Sequence, residues 1–313
     1  MSESGQPSSS ALLSHSHQHE ISDDNLDSLL AAEQERIRQS DPFPGATIEQ
    51  QIAILEELAT FDLGRFLLKH RGLNAYWTHH LVTHRNNVPG TRFSGQLEAL
   101  LYERLPSALA TRERFGIFQQ QLQERMSDGI VMASVPCGFM GDLLLLDYSN
   151  HQDVTLIGVD LDRQALEGAY KLAQQQGLEK NLSLHCHDAW SLELGTGVDV
   201  LTSNGLNIYE PDDDRVTALY RAFFTSLKPG GVLVSSFMTP PPLLSPDSPW
   251  TDADPAMLAF QHLLFSRILN AKWTAFRTYE QTQTQLEKAG FSDIQFIDDR
   301  MRMFPTIIAR KSD

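Results

Sequence analysis

"VMASVPCGFMGDLL", residues 131–144, opens like a buried strand and closes like the start of a helix. Between the two lie Pro136, Cys137, Gly138 and, three residues on, Gly141. A turn that carries glycine lets backbone approach a ligand closely, and a helix start presents unbonded N–H groups. Such a turn can hold a nucleotide-like cofactor, although Pro136 stands where a dinucleotide fingerprint has its first glycine. Asp160 follows about twenty residues later in "LIGVDLDRQAL", with Leu161 beside it. In a doubly wound sheet a carboxylate there faces ribose hydroxyls and accepts from both, while Asp162 suits a helix N-cap. "LSLHCHDAW" then offers Asp188, which can accept from the amine of an adenine ring, with Ala189 or Trp190 covering that ring. "VDVLTSNGLNIYEPDDD" adds Asn204, Gly205, Asn207 and Tyr209 at a strand's carboxyl end, where ligands of such sheets bind.

A second group of reactive side chains lies in "GLNAYWTHHLVTHRNNVPGTRFS", residues 72–94. Tyr76, Trp77 and His79 are candidate substrate contacts, and Arg85, Arg92 and Phe93 add to the pocket-like composition. His80 and His84, four apart on one helical face, are candidate catalytic residues as a base or to orient the acceptor, since histidine titrates near neutral pH, and Tyr209 is a third catalytic candidate. Metal ligation is not expected. His80 and His84 have no third ligand at a fitting spacing, and His185 and His187 alternate along a strand. His15, His17 and His19 sit in a polar tail able to grip a metal only weakly.

The elements that must position these groups follow from the hydrophobic rhythm. Residues 1–24 are polar and aperiodic, a disordered tail. Residues 25–126 read as helical, a region for a lid, substrate contacts or the contacts of a homodimer. Thr47 and Gln50 form a capping-box spacing, Ile48, Ile52, Leu55, Leu58 and Phe61 recur at helical steps, and Gly72 is a natural stop. Further helices fall near 95–105 and 107–126. From 127 to 313 short apolar runs ("IVMASV", "VTLIGVD", "LSLHC", "VDVLTS", "GGVLVSSF") alternate with helical patterns at 141–149, 162–176 and 211–227. That alternation predicts an α/β, doubly wound parallel sheet with strands buried on both faces. "GFSDIQFID" and "MRMFPTIIAR" are too close for a crossover and permit an antiparallel pair. A helical insert spans about 240–272, its helix at 255–270 showing Met257, Phe260, Leu264 and Ile268 on one face, with Phe260 the candidate acceptor contact.

The 313-residue chain carries a formal charge of −15 and is 41% hydrophobic. Such a charge repels nucleic-acid phosphates and anionic membranes, so a small-molecule partner is favoured. No apolar run reaches the roughly 18 residues that span a bilayer. Two cysteines make no disulfide or zinc framework, and no secretory signal opens the chain, so a cytoplasmic location is expected.

From about residue 110 to 313 the order of features resembles the class I S-adenosylmethionine-dependent methyltransferases. The turn at 136–141 resembles that family's glycine-rich first motif. Asp160 matches its ribose acid and Asp188 its adenine-edge acid. "LKPGG" before the fifth strand and the closing pair of strands match as well. The resemblance implies a seven-stranded, mostly parallel Rossmann-like sheet with an antiparallel last strand, S-adenosyl-L-methionine as cofactor and methyl transfer as activity. Ser134 stands where the family has the acid that holds the methionine amino group, so another group must supply that contact. Pro305 lies in what would be an internal strand, where a bulge is expected. Two other readings are open: a nicotinamide-dependent dehydrogenase using the same turn and acid, and a cofactor- or lipid-binding module without turnover. A nucleic-acid methyltransferase is disfavoured by charge and by "SNGLNIY" after the fourth strand.

Overall fold

The computed structural model describes residues 23–85, 92–195, 197–271 and 275–312. Most of the expected tail, its three histidines, and residues 86–91 of the histidine-rich segment lie outside the described residues.

The amino-terminal third is a packed helical layer. Helices α1 (Asp23–Gln39), α2 (Ile48–Leu58), α3 (Asp62–His70), α4 (Ala75–Thr83) and α5 (Gln96–Glu103) precede the longer α6 (Pro106–Gln123). Thr47 and Gln50 close a capping box on α2, as their spacing predicts. The periodicity of 47–72 reads as one helix, yet the chain breaks after Leu58. A Cβ on Gly64 would lie 2.0 Å from the Leu58 carbonyl oxygen, so α3 crosses directly over the end of α2 at a point only glycine permits. Arg71, in the left-handed region at φ 57°, ends α3 one residue before Gly72.

The sheet is seven-stranded, in the order β3-β2-β1-β4-β5-β7-β6. Its strands are β1 (Val131–Ser134), β2 (Thr155–Asp160), β3 (Leu182–Cys186), β4 (Val198–Ser203), β5 (Leu227–Ser236), β6 (Phe291–Ile297) and β7 (Thr306–Lys311). β1 to β5 pair in parallel, and β7 runs antiparallel between β5 and β6. The α/β, doubly wound architecture is the expected one. Helices α7 (Gly141–Leu144), α8 (Arg163–Gln176), α9 (Asp213–Ser226) and α11 (Tyr279–Ala289) follow β1, β2, β4 and the insert.

Four local readings differ. The helix after the glycine turn is a single turn, not 141–149, because the chain leaves it at Leu145. β3 is a half-exposed edge strand rather than one buried on both faces. "LKPGG" lies inside β5, where Lys228 Nζ reaches both Asp199 oxygens (2.8 and 2.7 Å) and Asp199 accepts from Val131 N–H at 2.9 Å. This ties β1, β4 and β5 at their amino ends, opposite the ligand edge. Pro305 stands just before β7 and needs no bulge; in the closing pair the irregularity is in β6, between Ser292 and Gln295.

Helix α6 joins the two layers. Leu105 and Ala108 pack in the helical cluster with Leu55, Leu58 and Leu101. Phe118 and Leu122, both fully buried, pack with Met132, Val234 and Ile308 under the sheet. Side chains of this kind contribute about 1.5–3 kcal/mol each on burial, so α6 is anchored in both cores. The insert is α10 (Pro255–His262) running into a π-helical turn, Leu263–Ile268. Leu263, Leu264 and Ile268 pack into the helical cluster, and Arg36 of α1 donates to the Arg267 and Ile268 carbonyls at 2.7 and 3.0 Å.

Candidate functional site

The carboxyl ends of β1, β2 and β4 meet at one edge. After the cis Val135–Pro136 bond, Cys137 N–H donates to the Val159 carbonyl of β2 at 2.8 Å, drawing the turn against that strand. Gly138, at φ 51°, donates its N–H to Asp160 Oδ2 at 2.9 Å, while Asp160 Oδ1 accepts from Asp162 N–H at 2.9 Å. The acid therefore holds the glycine turn and the start of α8 together. Burial raises the Asp160 carboxyl above its ordinary value, against the pull of these backbone N–H groups. Its two bonds leave lone pairs for further donors. Leu161 follows, exposed. Asp162 caps α8 through Gln164 N–H, as its position predicts.

Sequence reasoning missed a buried acid at this edge. Asp142, in the first turn of α7, accepts from Ser134 Oγ at 3.0 Å and from the Thr202 hydroxyl of β4. Burial raises its carboxyl, and the two hydroxyls and nearby backbone N–H groups oppose the rise. The signal was an acid directly after Gly141, at a helix start where negative charge is stabilised. Cys137 is buried, and burial followed by Asp160 and Asp142 pushes its thiol well up, so it is a packing residue rather than a nucleophile.

Asp188 caps a 3-10 turn, Ala189–Ser191, through Trp190 N–H at 3.0 Å, with Ala189 buried. Trp190 lies against α9, donating to the Arg215 carbonyl at 2.9 Å. At the end of β4, Gly205 has φ 86°, and Asn204 Oδ1 is buried without a partner. Asn207 turns inward instead: its Nδ2 donates to buried Tyr220 at 2.8 Å, so it holds the core and not a substrate. Tyr209 is 41% exposed beside this edge, and burial of its hydroxyl end raises it while Arg114 opposes the rise.

Helix α4 lies on the glycine turn. A Cβ on Gly141 would meet His79 Nδ1 at 3.0 Å, and one on Gly138 would meet the Ala75 side chain at 3.6 Å. Phe139 packs between α4 and α8: its ring is 5.4 Å from that of His79 and 6.1 Å from that of Tyr76, and it fills the space over Gly168. Burial, then His80, brings His79 down to about 4; burial lowers His80 too. The structure thus brings Tyr76 and His79 to the turn.

Other candidates fall elsewhere. Trp77 packs toward Phe66 and the helical cluster. Phe260 packs in that cluster as well, because the insert folds back onto α1 and α2. His84 lies past the end of α4, with Nε2 3.6 Å from Glu103. His80 and His84 line a separate cavity of about 330 Å³ with Arg92, Phe93, Glu98 and Tyr102. Among the described residues no group of three His, Cys, Asp or Glu side chains gathers to hold a metal. Nor is any described helix long and apolar enough to cross a membrane.

An S-adenosyl group fits these residues on two counts. Asp160 keeps acceptor capacity at the end of β2, and Asn204 Oδ1 is an orphaned acceptor one strand beyond the turn, suited to an ammonium donor. No curated protein matches the chain. Residues 135–231 match a family model described as a methyltransferase domain. The solved structure of a possible exported protein from Bordetella parapertussis is 52% identical, with a TM-score of 0.88 over 94% of this chain and 98% of that one. The apo structure of the S-adenosylmethionine-dependent methyltransferase SibL, 17% identical, shares the fold at a TM-score of 0.51 over 92% of this chain and 74% of that one. The chain therefore belongs to one family with the Bordetella protein, built on the class I S-adenosylmethionine-dependent methyltransferase fold.

Proposed function

We propose that the chain transfers a methyl group from S-adenosylmethionine to a small-molecule acceptor over the carboxyl ends of β1, β4 and β5. The observation that carries this reading is Asp160, fastened to Gly138 N–H at 2.9 Å with acceptor capacity to spare. When bound, the cofactor supplies a methyl group on a positively charged sulfur. Asp160 accepts from the ribose hydroxyls. Asp188 and Ala189 border the adenine, and Asn204 receives the amino group. Asp142 places negative charge behind Ser134, restoring the acid that the first motif lacks. Helix α4, through Tyr76 and His79, excludes water from the turn, and positioning of this kind supplies roughly 7–11 kcal/mol of a barrier. His79 is neutral at physiological pH and can take the acceptor's proton at a ring nitrogen, with His80 next to it. The charge of −15 supports a small-molecule acceptor over a nucleic acid. Two free thiols, Cys137 and Cys186, suit a reducing, cytoplasmic setting.

Calorimetric titration with S-adenosylhomocysteine tests the reading, beside Asp160→Asn and with NADH as control. Micromolar binding by the wild type, weakened at least about tenfold in the variant by loss of charge-assisted bonds, is expected. Silence with S-adenosylhomocysteine, or binding of NADH, overturns it.

A further inference from the structure

Arg114 projects from the middle of α6 over the carboxyl end of β5 and is 5% exposed. Its Nη1 donates to Ser236 Oγ at 3.3 Å, and its Nε is buried with no partner. Among the described residues it has no direct ion pair, and Asp299 is the carboxylate whose charge acts on it. A buried guanidinium whose Nε finds no acceptor carries an unmet donor, which is costly and points to a partner that completes it. Arg277 shows what a structural arginine looks like in the same fold. It is 3% exposed, yet Nε pairs with Asp213 at 2.9 Å, Nη1 with the Asn207 carbonyl at 2.9 Å and Nη2 with the Glu210 carbonyl at 2.7 Å. Asp299 lies in the field of Arg114, but its carboxylate is occupied by backbone N–H groups, Met301 at 3.0 Å and Phe304 at 2.6 Å among them.

On the side of Phe304 the guanidinium meets an apolar, adaptable wall. It stands 4.9 Å from the Phe304 ring centroid. Ala110, Ile208, Met238, Met301 and Met303 form one buried cluster with Phe304. Methionine-rich walls repack around bodies of varied shape. The strand order places β5 two strands beyond β1, roughly 10 Å along the edge at ordinary strand spacing, and on the side away from β2. The ribose acid is on β2, so Arg114 lies on the acceptor's side of the transferred group.

We propose that Arg114 is the anion-recognition residue of the acceptor pocket, and that the acceptor carries a carboxylate on an apolar body. The proposal rests on the methyl-transfer reading for the name of its ligand. Nε and Nη2, the two donors on one edge of the guanidinium, donate to the carboxylate in the charge-assisted geometry that arginine favours, and the Met238–Met301–Met303–Phe304 wall takes the body.

Calorimetry with decanoate and 3-phenylpropanoate, each beside its primary amide, tests this with and without saturating S-adenosylhomocysteine. Wild type is expected to prefer an acid over its amide by about tenfold or more. Arg114→Met is expected to abolish that preference while S-adenosylhomocysteine binds as before. Because Met fills similar volume and its neighbours already include Met238, Met301 and Met303, while Asp299 keeps its backbone N–H donors, the variant is expected to melt close to the wild-type temperature. Arg114→Lys, which keeps the charge without the fork, is expected to retain part of the preference. Equal binding of acid and amide by wild type, or an unchanged preference in Arg114→Met, overturns the proposal. So does weakened S-adenosylhomocysteine binding by Arg114→Met, since the anion would then be the cofactor's own. A sharply lowered melting temperature would make the arginine structural and has the same effect. If wild type ignores S-adenosylhomocysteine, the methyl-transfer reading falls, while the acid-against-amide comparison without it still reads Arg114.

Discussion

Ser134 Oγ donates to the carboxylate of Asp142 at 3.0 Å, and the Thr202 hydroxyl reaches the same oxygen. A serine ends β1 where the family has an acid, and the acid arrives instead from the first turn of α7. Three side chains from β1, β4 and α7 are thereby locked behind the glycine turn.

This relationship has a pH signature. Burial raises the Asp142 carboxyl above 3.8. A carboxyl with a raised folded value holds its proton more tightly folded than unfolded, so its presence favours folding progressively as pH falls through that value toward 3.8. Asp142→Asn has no such proton. The wild-type melting temperature is therefore expected to gain on that of Asp142→Asn as the medium is made weakly acid. A gap that does not move with pH contradicts the assignment.

His79 has the opposite linkage. Its folded value is brought down to about 4 from 6.5, chiefly by burial. Protons then favour the unfolded chain, and this contribution to stability is lost as pH falls from 6.5 toward 4. Imidazole NMR is expected to show His79 neutral across about pH 5 to 8. A midpoint near the ordinary histidine value would remove His79 as a packed base above Gly141.

Gly168→Ala tests the seating of the turn. The added Cβ would lie 2.1 Å from Phe139 Cε1 and 2.4 Å from Cζ, so the ring between α4 and α8 must move. Overpacking of this kind costs about 1–3 kcal/mol, and S-adenosylhomocysteine affinity is expected to fall with it. Gly116→Ala in α6 meets nothing within 4 Å and serves as the control. It is expected to stabilise by up to about 1 kcal/mol in denaturant melts through helix propensity.

Arg277→Ala removes three bonds that tie the segment before α11 to the loop after β4 and to the start of α9. Breaking one partner of a buried charged network costs roughly 3–5 kcal/mol. A large drop in the denaturation midpoint is expected, whereas Arg114→Met is expected to show none. Equal effects in the two variants would contradict the contrast between Arg277, bonded through Nε, Nη1 and Nη2, and Arg114, whose Nε is unpartnered.

Much of the scaffold was readable from local signals. Short apolar runs separated by helical periods determined the doubly wound sheet, and the Thr47 and Asp162 caps stand where spacing placed them. These features depend on neighbours in the chain, and periodicity reports neighbours. Long-range contacts were not readable in the same way. The break after Leu58 is made by α3 crossing α2 at Gly64. Phe260 shows the stripe of a lid helix, but Arg36 of α1 holds the insert against the helical layer.

At the candidate site, sequence determined the glycine turn and Asp160, because both lie on one strand–turn–helix–strand unit whose connections are short. Only the tertiary structure decided which groups come to that edge from afar: His79 and Tyr76 from α4 and Thr202 from β4 at the turn, and Arg114 farther along over β5. It also decided which do not, Asn207 turning toward Tyr220 and His84 toward Glu103. The physical reason is that burial and partnering set a polar side chain's role. Neither quantity exists until the helical layer closes on the sheet.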